Sequence, residues 1–336
     1  MTAPTLGKSP ASATPARGAP PVIRHSSPLR RRRSRAAWGF AAPFVVLFLV
    51  FTAWPVLSSL LMSVTDIRSR DLRDPFAVNF VGTDNFSAVL ADPLFWQAAR
   101  NTGYFVVVGV PLVMFVSLMV AVALNTGITR LSAFFRIGYF MPVVTSIVAV
   151  AVVWRFLLRT DNGVINVALG WFGIDGPNWL GTTTWSMPSL IAMAVWRSMG
   201  TLIVIFLAGL QGVPASLHEA AALDGANAWQ RLRLITIPTI RPTLLFGAVL
   251  TGIGYLQFFE EPFVMTEGGP LNSTLSVSYY IYKQFGFGNY GIAAAMSYVL
   301  FLAIVLLTLV QFRLLTERDP RPRRRRRATA PERSTR

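Results

Sequence analysis

Six side chains with chemical capacity stand inside or beside long apolar stretches of this chain: Trp196 and Arg197 in one, and Tyr255, Gln257, Phe259 and Glu260 near the end of another. Placing an arginine at the centre of a membrane-inserted helix costs roughly 2.5–3.5 kcal/mol. Arg197 must therefore face a polar cavity or a partner, or else snorkel to an interface. Three roles stay open for it: lining a passage, pairing with an acidic group across a subunit boundary, or snorkelling. Glu260 and Glu261 have two readings, lining the same passage or simply being wetted at a helix end. A guanidinium, a phenol, an amide and flat rings are groups that hold a polar molecule by hydrogen bonding and stacking. They are not a catalytic set. The chain has no cysteine, and His25 and His218 have no companions for a metal cluster. Gly7-Lys8-Ser9 is no phosphate-binding loop, because Thr2 occupies the position of the required leading glycine. We expect no metal and no cofactor.

The elements that position these residues are apolar runs. With 53% apolar and 14% charged residues, the chain has too little polar surface to cover a soluble core. Runs of about 20 apolar residues are long enough to cross a bilayer, and six are legible: 37–63, 103–125, 135–158, 187–210, 243–265 and 291–314. The expected fold is all-α and polytopic, with six transmembrane helices. Gly247, Gly252 and Gly254 suit close helix packing.

The net charge of +16 is concentrated. Of the 31 Lys and Arg, eight precede residue 37, two lie in 126–136, three in 211–242 and ten from Arg313 onward. Positive residues mark the cytoplasmic side, so both termini and the 211–242 loop are expected there. The expected organisation is a disordered basic tail at 1–36, a six-span domain at 37–315 and a second basic tail at 316–336. Beside membrane spans, Arg30 to Arg33 and Arg323 to Arg327 read as orientation signals and contacts to anionic membrane lipid; no nucleic-acid partner is expected. The Arg/Ala/Gly/Pro bias suggests a GC-rich bacterial source, hence a bacterial plasma membrane.

Between the fourth and fifth runs lies a polar, helix-forming stretch: Glu219-Ala220-Ala221-Ala222-Leu223-Asp224-Gly225, continuing to Ile235-Thr236-Ile237-Pro238. Ser216 three residues before Glu219 predicts a capping box, the alanines favour helix, and Gly225 permits a turn or a close approach. A short helix with a small-residue face, set between spans, suits docking into something soluble. His218 reads as a solvated loop histidine, and Arg231 and Arg233 as loop supports or lipid-phosphate contacts.

This stretch resembles the EAA loop of permease subunits of binding-protein-dependent ABC importers, with Ile237 where that pattern has Leu. The tract Phe259-Glu260-Glu261-Pro262-Phe263 through Thr266 to Gly268-Gly269-Pro270 resembles the carbohydrate type (maltose- or glycerol-phosphate-like) of that family, as do Asn85-Phe86, Phe95-Trp96 and Met141-Pro142. The likeness covers about residues 37–315. It implies the ABC importer permease fold and an ATP-driven sugar importer working by alternating access, in which this chain forms half of the translocation pathway. It also implies a second permease subunit (a heterodimer), two ATP-binding cassette ATPase subunits that hydrolyse the ATP, and an extracytoplasmic sugar-binding protein. Glu219, Ala220, Ala221, Asp224 and Gly225 would be the ATPase-coupling surface. Trp196, Arg197, Tyr255, Gln257, Phe259 and Glu260 would line the substrate pathway. An ion-coupled secondary transporter is the alternative, but it would need a carboxylate or cation site at mid-depth, and no acidic residue lies deep in any run. A polytopic membrane enzyme would need clustered acids or histidines at one face.

Overall fold

A computed structural model of the chain describes residues 28–73, 78–126 and 132–315. The expected C-terminal tail and most of the N-terminal one, with Gly7-Lys8-Ser9, His25 and Arg323 to Arg327, lie outside the described residues. Among the described residues the secondary structure is helical, with one isolated antiparallel bridge, Thr65 to Phe80.

Two units are distinguished, 1–57 and 58–336. In the first, α1 (Pro28–Phe48) starts inside the basic stretch expected to lack structure. Pro28 sits at the first turn, where its missing N–H is no loss, and the Leu-Arg run after it favours helix. The π-helical turn Leu49–Ala53 leads into α2 (Trp54–Ser63). Pro55 cannot donate to the turn before it, and the ladder slips so that the Trp54 N–H reaches Leu49 O.

In the second unit a short 3₁₀ turn (Ser69–Arg73) precedes α3 (Asp84–Ala91) and the 34-residue α4 (Pro93–Thr126). At 1.5 Å per residue α4 is about 51 Å long, well beyond the hydrocarbon core, and it begins ten residues before the expected run. Its first turns are polar for a reason. Gln97 Nε2 donates to Leu271 O (2.9 Å), Asn101 Nδ2 to Asn272 O (2.8 Å) and Leu275 O (3.0 Å), and Thr102 Oγ1 accepts from the Val277 N–H (3.1 Å). These bonds hold the Gly-Gly-Pro turn, in which Glu267, Leu271 and Asn272 all have positive φ.

The third apolar run is broken rather than straight. Helix α5 (Ser132–Val144) and α6 (Ile147–Leu157) meet at Thr145-Ser146, with their axes bent by 116°. Pro142 leaves one carbonyl of α5 without its donor, and the β-branched Val143-Val144-Thr145 lowers helix propensity behind it. After α7 (Val164–Gly170) comes α8 (Ser186–Gln211), the most buried span. The next stretch holds α9 (Ala215–Leu223), α10 (Ala228–Arg231), a second π-helical turn (Leu232–Thr236) and α11 (Ile237–Thr239). That π turn precedes Pro238 just as the first precedes Pro55.

Helix α12 (Arg241–Leu256) follows at a 69° bend. The fifth run therefore does not continue to 265: α12 ends at Leu256, and Glu260–Met265 forms a separate short helix, α13. Helices α14 (Val277–Gly286) and α15 (Tyr290–Leu315) complete the chain. Arg241 Nη2 donates to Leu314 O (3.2 Å), placing a cation at the end of α15, where helix carbonyls lack partners. Among the described residues, four helices are long and apolar enough to cross a membrane, and six if each bent pair counts as one span.

The main core lies between α4, α8 and α12, where Phe105, Leu190, Met193, Leu202, Ile203 and Phe206 are fully enclosed. A second cluster joins α3 and the start of α4 to α14 and α15 through Val89, Phe95, Leu275 and Met296. It is tied by a polar chain in which Tyr280 Oη donates to Asp92 Oδ2 (2.6 Å) and Gln284 Nε2 donates to Tyr280 Oη (3.0 Å). Burial and the bond to Asp92 push the Tyr280 phenol up to about 12.

Candidate functional site: an exposed loop helix and a polar cavity

The loop is built by backbone geometry. Helix α9 starts at Ala215 with Pro214 as its N-cap, and no side chain caps it. The predicted Ser216–Glu219 capping box is therefore absent. Pro214, with ψ near 128°, already turns the chain into the helix, so Ser216 lies inside the first turn, where its hydroxyl cannot reach the Glu219 amide. The box forms further on instead: the Asn227 N–H donates to Gln230 Oε1 and the Gln230 N–H to Asn227 Oδ1, both at 2.8 Å.

At its other end α9 closes with a Schellman motif. Gly225 has φ +79°, its N–H bonds Ala222 O (3.1 Å), and the Ala226 N–H bonds Ala221 O (2.9 Å). A β-carbon at Gly225 would meet nothing within 4 Å. The glycine is thus present for its left-handed backbone, not for a close approach by this chain.

Glu219, Ala220, Asp224 and Gly225 are exposed and Ala221 is half-buried. Leu223 is 91% exposed, and Trp229 and Leu234 are exposed beside it. These three apolar side chains were missed in the sequence because only the glutamate, alanines, aspartate and glycine carry the motif. Their signal was the apolar residue types in an otherwise polar loop. His218 is half-buried and lines a cavity of about 490 Å³ with Asn125 of α4 and Trp229 and Arg231 of α10.

Four of the six pathway candidates converge. Arg197 on α8, Tyr255 on α12, and Gln257 and Glu260 at the α12–α13 break line one cavity of about 280 Å³. Ser198, Thr201, Thr251 and Glu261 complete its polar lining. Thr201 lies four residues after Arg197, and Thr251 four before Tyr255, so helical spacing alone could have found both. Gly254 also lines this cavity and has open space where a β-carbon would stand, so it does not serve helix packing. Gly247 and Gly252 do, against Phe206 and Gln311.

Tyr255 is buried, and its ring lies 5.0 Å from that of Phe105. Its position depends on α4: a β-carbon at Gly109 would come within 2.8 Å of the Tyr255 ring. Tyr255 Oη and Ser198 Oγ are 2.8 Å apart, and Ser198 Oγ donates to Ala194 O. A hydroxyl has one proton. Ser198 has already spent its own, so Tyr255 donates to Ser198 and offers its lone pairs. Glu261 is 7% exposed, with Oε2 buried and unpartnered, so it is not wetted at a helix end. The α12–α13 break turns it inward.

The other two candidates lie elsewhere. Trp196 packs on Trp154 (5.8 Å between centroids) and lines a separate apolar cavity with Met141, Pro142 and Val153. Adjacent helical residues point about 100° apart, and here the arginine and the tryptophan face different neighbours. Phe259 joins an aromatic group with Phe263 (5.1 Å), Tyr282 (5.2 Å) and Tyr279 (5.9 Å). No group of three or more potential metal ligands occurs among the described residues.

An all-α fold of long apolar helices, with broken spans around a polar cavity, is that of a polytopic membrane protein. Residues 101–324 match the family described as the binding-protein-dependent transport system inner membrane component, and the chain belongs to that family. It is 38% identical over 298 residues to the lactose transport system permease protein LacF of Rhizobium radiobacter, covering 87% of this chain and 98% of that protein. It is 30% identical to the trehalose/maltose transport system permease protein MalF of Thermococcus litoralis, covering 86% and 96%. Among solved structures, a bacterial ABC transporter involved in the import of the acidic polysaccharide alginate superposes with a TM-score of 0.70 at 23% identity, covering 85% of this chain and 96% of that one. The chain is a permease subunit of an ATP-driven importer and a multi-pass inner membrane protein, not an ion-coupled carrier.

Proposed function

We propose that this permease imports a sugar and forms half of the pathway with a second permease subunit. Of two ATPase subunits, one seats the α9–α10 loop of this chain, and an extracytoplasmic sugar-binding protein delivers the substrate. Both termini and the loop face the cytoplasm, in line with the clustering of Lys and Arg in these segments. The six-span domain is 37–315, with basic tails outside it. Sugar is the substrate class because relatives covering most of the chain carry the names of sugar importers.

The observation that carries the coupling assignment is the exposed α9 helix, ended by the left-handed Gly225 and presenting Leu223 at 91% exposure. An isolated leucine at a loop tip stabilises nothing within this chain, whereas burial in a partner's cleft is worth about 1.5–3 kcal/mol. ATP binding closes the ATPase pair, and the loop transmits that closure. The partner must bind the outward and inward states differently for any coupling to result. The substrate passes the cavity of Arg197, Tyr255, Gln257 and Glu260, and Trp196 and Phe259 lie outside it.

The test is co-expression with an ATP-binding cassette ATPase of a sugar importer. Leu223→Asp should abolish ATPase co-purification and sugar uptake while leaving the amount of chain in the membrane unchanged. Undiminished uptake would remove the docking assignment.

A further inference from the structure

Two side-chain atoms in the 280 Å³ cavity have no hydrogen-bond partner. Glu261 Oε2 on α13 is buried without a hydrogen-bond donor, and Arg197 Nε on α8 is buried without an acceptor. They do not pair with each other, for the one ion pair among the described residues joins Arg70 to Asp71. A buried polar group left unsatisfied costs about 1–3 kcal/mol, and more when charged. Such groups persist where something else completes them. The completing group must donate to Glu261 and accept from Arg197. A hydroxyl does both, having one proton and two lone pairs, whereas a carboxylate, phosphate or sulfonate only accepts.

The rest of the lining points the same way. Tyr255 donates its hydrogen bond to Ser198 and offers lone pairs. Glu260, half-buried on the same wall, adds a second carboxylate. An anionic ligand would meet two carboxylates against one guanidinium at low local dielectric, where repulsion is strong.

Resting on the sugar-importer reading above, we propose that Glu261 is a specificity-determining residue: it accepts a hydrogen bond from a hydroxyl of an uncharged sugar and, in the cavity it shares with Arg197, excludes acidic sugars. Arg197 takes a lone pair of the same or the adjacent hydroxyl. The cavity thus makes a selection of its own, downstream of the delivering protein.

The test is equilibrium binding to the purified transporter, this chain with its companion subunits, in lipid nanodiscs without the external binding protein, whose selectivity would mask that of the cavity. The probes are lactose, maltose, trehalose and arabinobiose against digalacturonate. The wild type should bind at least one neutral disaccharide tenfold or more tightly than digalacturonate. Glu261→Gln should shrink that ratio at least fivefold, and Glu261→Asp should keep it. Arg197→Gln, a second variant independent of α13 folding, should weaken the neutral sugar at least tenfold. A ratio unchanged in Glu261→Gln, or digalacturonate bound as well as the best neutral sugar, overturns the inference. Full transport by the exchanged pair Arg197→Glu with Glu261→Arg also overturns it, by making the two a structural ion pair of another transport state. A wild type that binds no neutral member of the panel instead sinks the sugar reading itself.

Discussion

The α9–α10 loop and the α8–α12–α13 cavity are assembled by opposite means. The loop's turns are local: within residues 214–230, a proline, a Schellman turn at Gly225 and an Asn227–Gln230 box set the helix ends by bonds between near neighbours. The cavity is non-local: Ser198 and Tyr255 bond across 57 residues, and Glu261 arrives from a third helix. A local device fails when one backbone position is spoiled. A non-local one can be spoiled from a helix that never touches the ligand.

The largest effect should come from Gly225→Val. A β-branched residue in the left-handed region is a genuine outlier, with a cost of roughly 1–2 kcal/mol from chirality alone. Sugar uptake should fall more than tenfold and ATPase co-purification should be lost, with membrane insertion intact by fractionation. Because a β-carbon there meets nothing within 4 Å, Gly225→Ala should do less harm than Gly225→Val. Equal harm from both would point instead to a partner surface pressed against that position. Arg197→Leu comes next, with uptake down about tenfold and the ATPase still bound. Loss of the second permease on co-purification would instead make Arg197 an interface residue.

Gly109→Ala tests the non-local claim directly. Its new methyl group would press on the Tyr255 ring, and overpacking costs about 1–3 kcal/mol. We expect several-fold weaker sugar binding from a substitution on α4, which contributes nothing to the cavity lining; unaltered binding would show that α4 does not position Tyr255. Asn227→Ala removes one side of the loop's box at about 1 kcal/mol, and uptake should fall a few-fold, recoverable by lowering the temperature. The smallest effect belongs to Trp196→Phe, where sugar affinity should change less than twofold in a fluorescence titration, since Trp196 faces Trp154 in another cavity. A tenfold loss there would return it to the pathway.

Much of this was legible in the residues, and the misses have physical causes. Arg197 and Glu260 announced themselves because charge in an apolar run needs an explanation, and the structure brings them to one cavity. Trp196 and Phe259 shared the same stretches but not the same faces, since a difference of one residue on a helix is about 100°. Glu261 read as a wetted helix end because nothing in Gln257-Phe258-Phe259 states that α12 stops at Leu256 and the chain turns inward. The third run looked continuous because hydropathy averages over a break that Pro142 and the β-branched residues after it only suggest.

What the chain's own order of residues determined was membrane residence, helical class and the presence of a short helix in the loop between spans, because hydropathy, propensity and turn chemistry act within a few residues of one another. What the tertiary structure alone decided was which polar side chains meet. Arg197, Tyr255 and Glu261 share a cavity only because Gly109 lets the Tyr255 ring lie against α4 and the α12–α13 break turns Glu261 inward, and neither distance is encoded in any single segment.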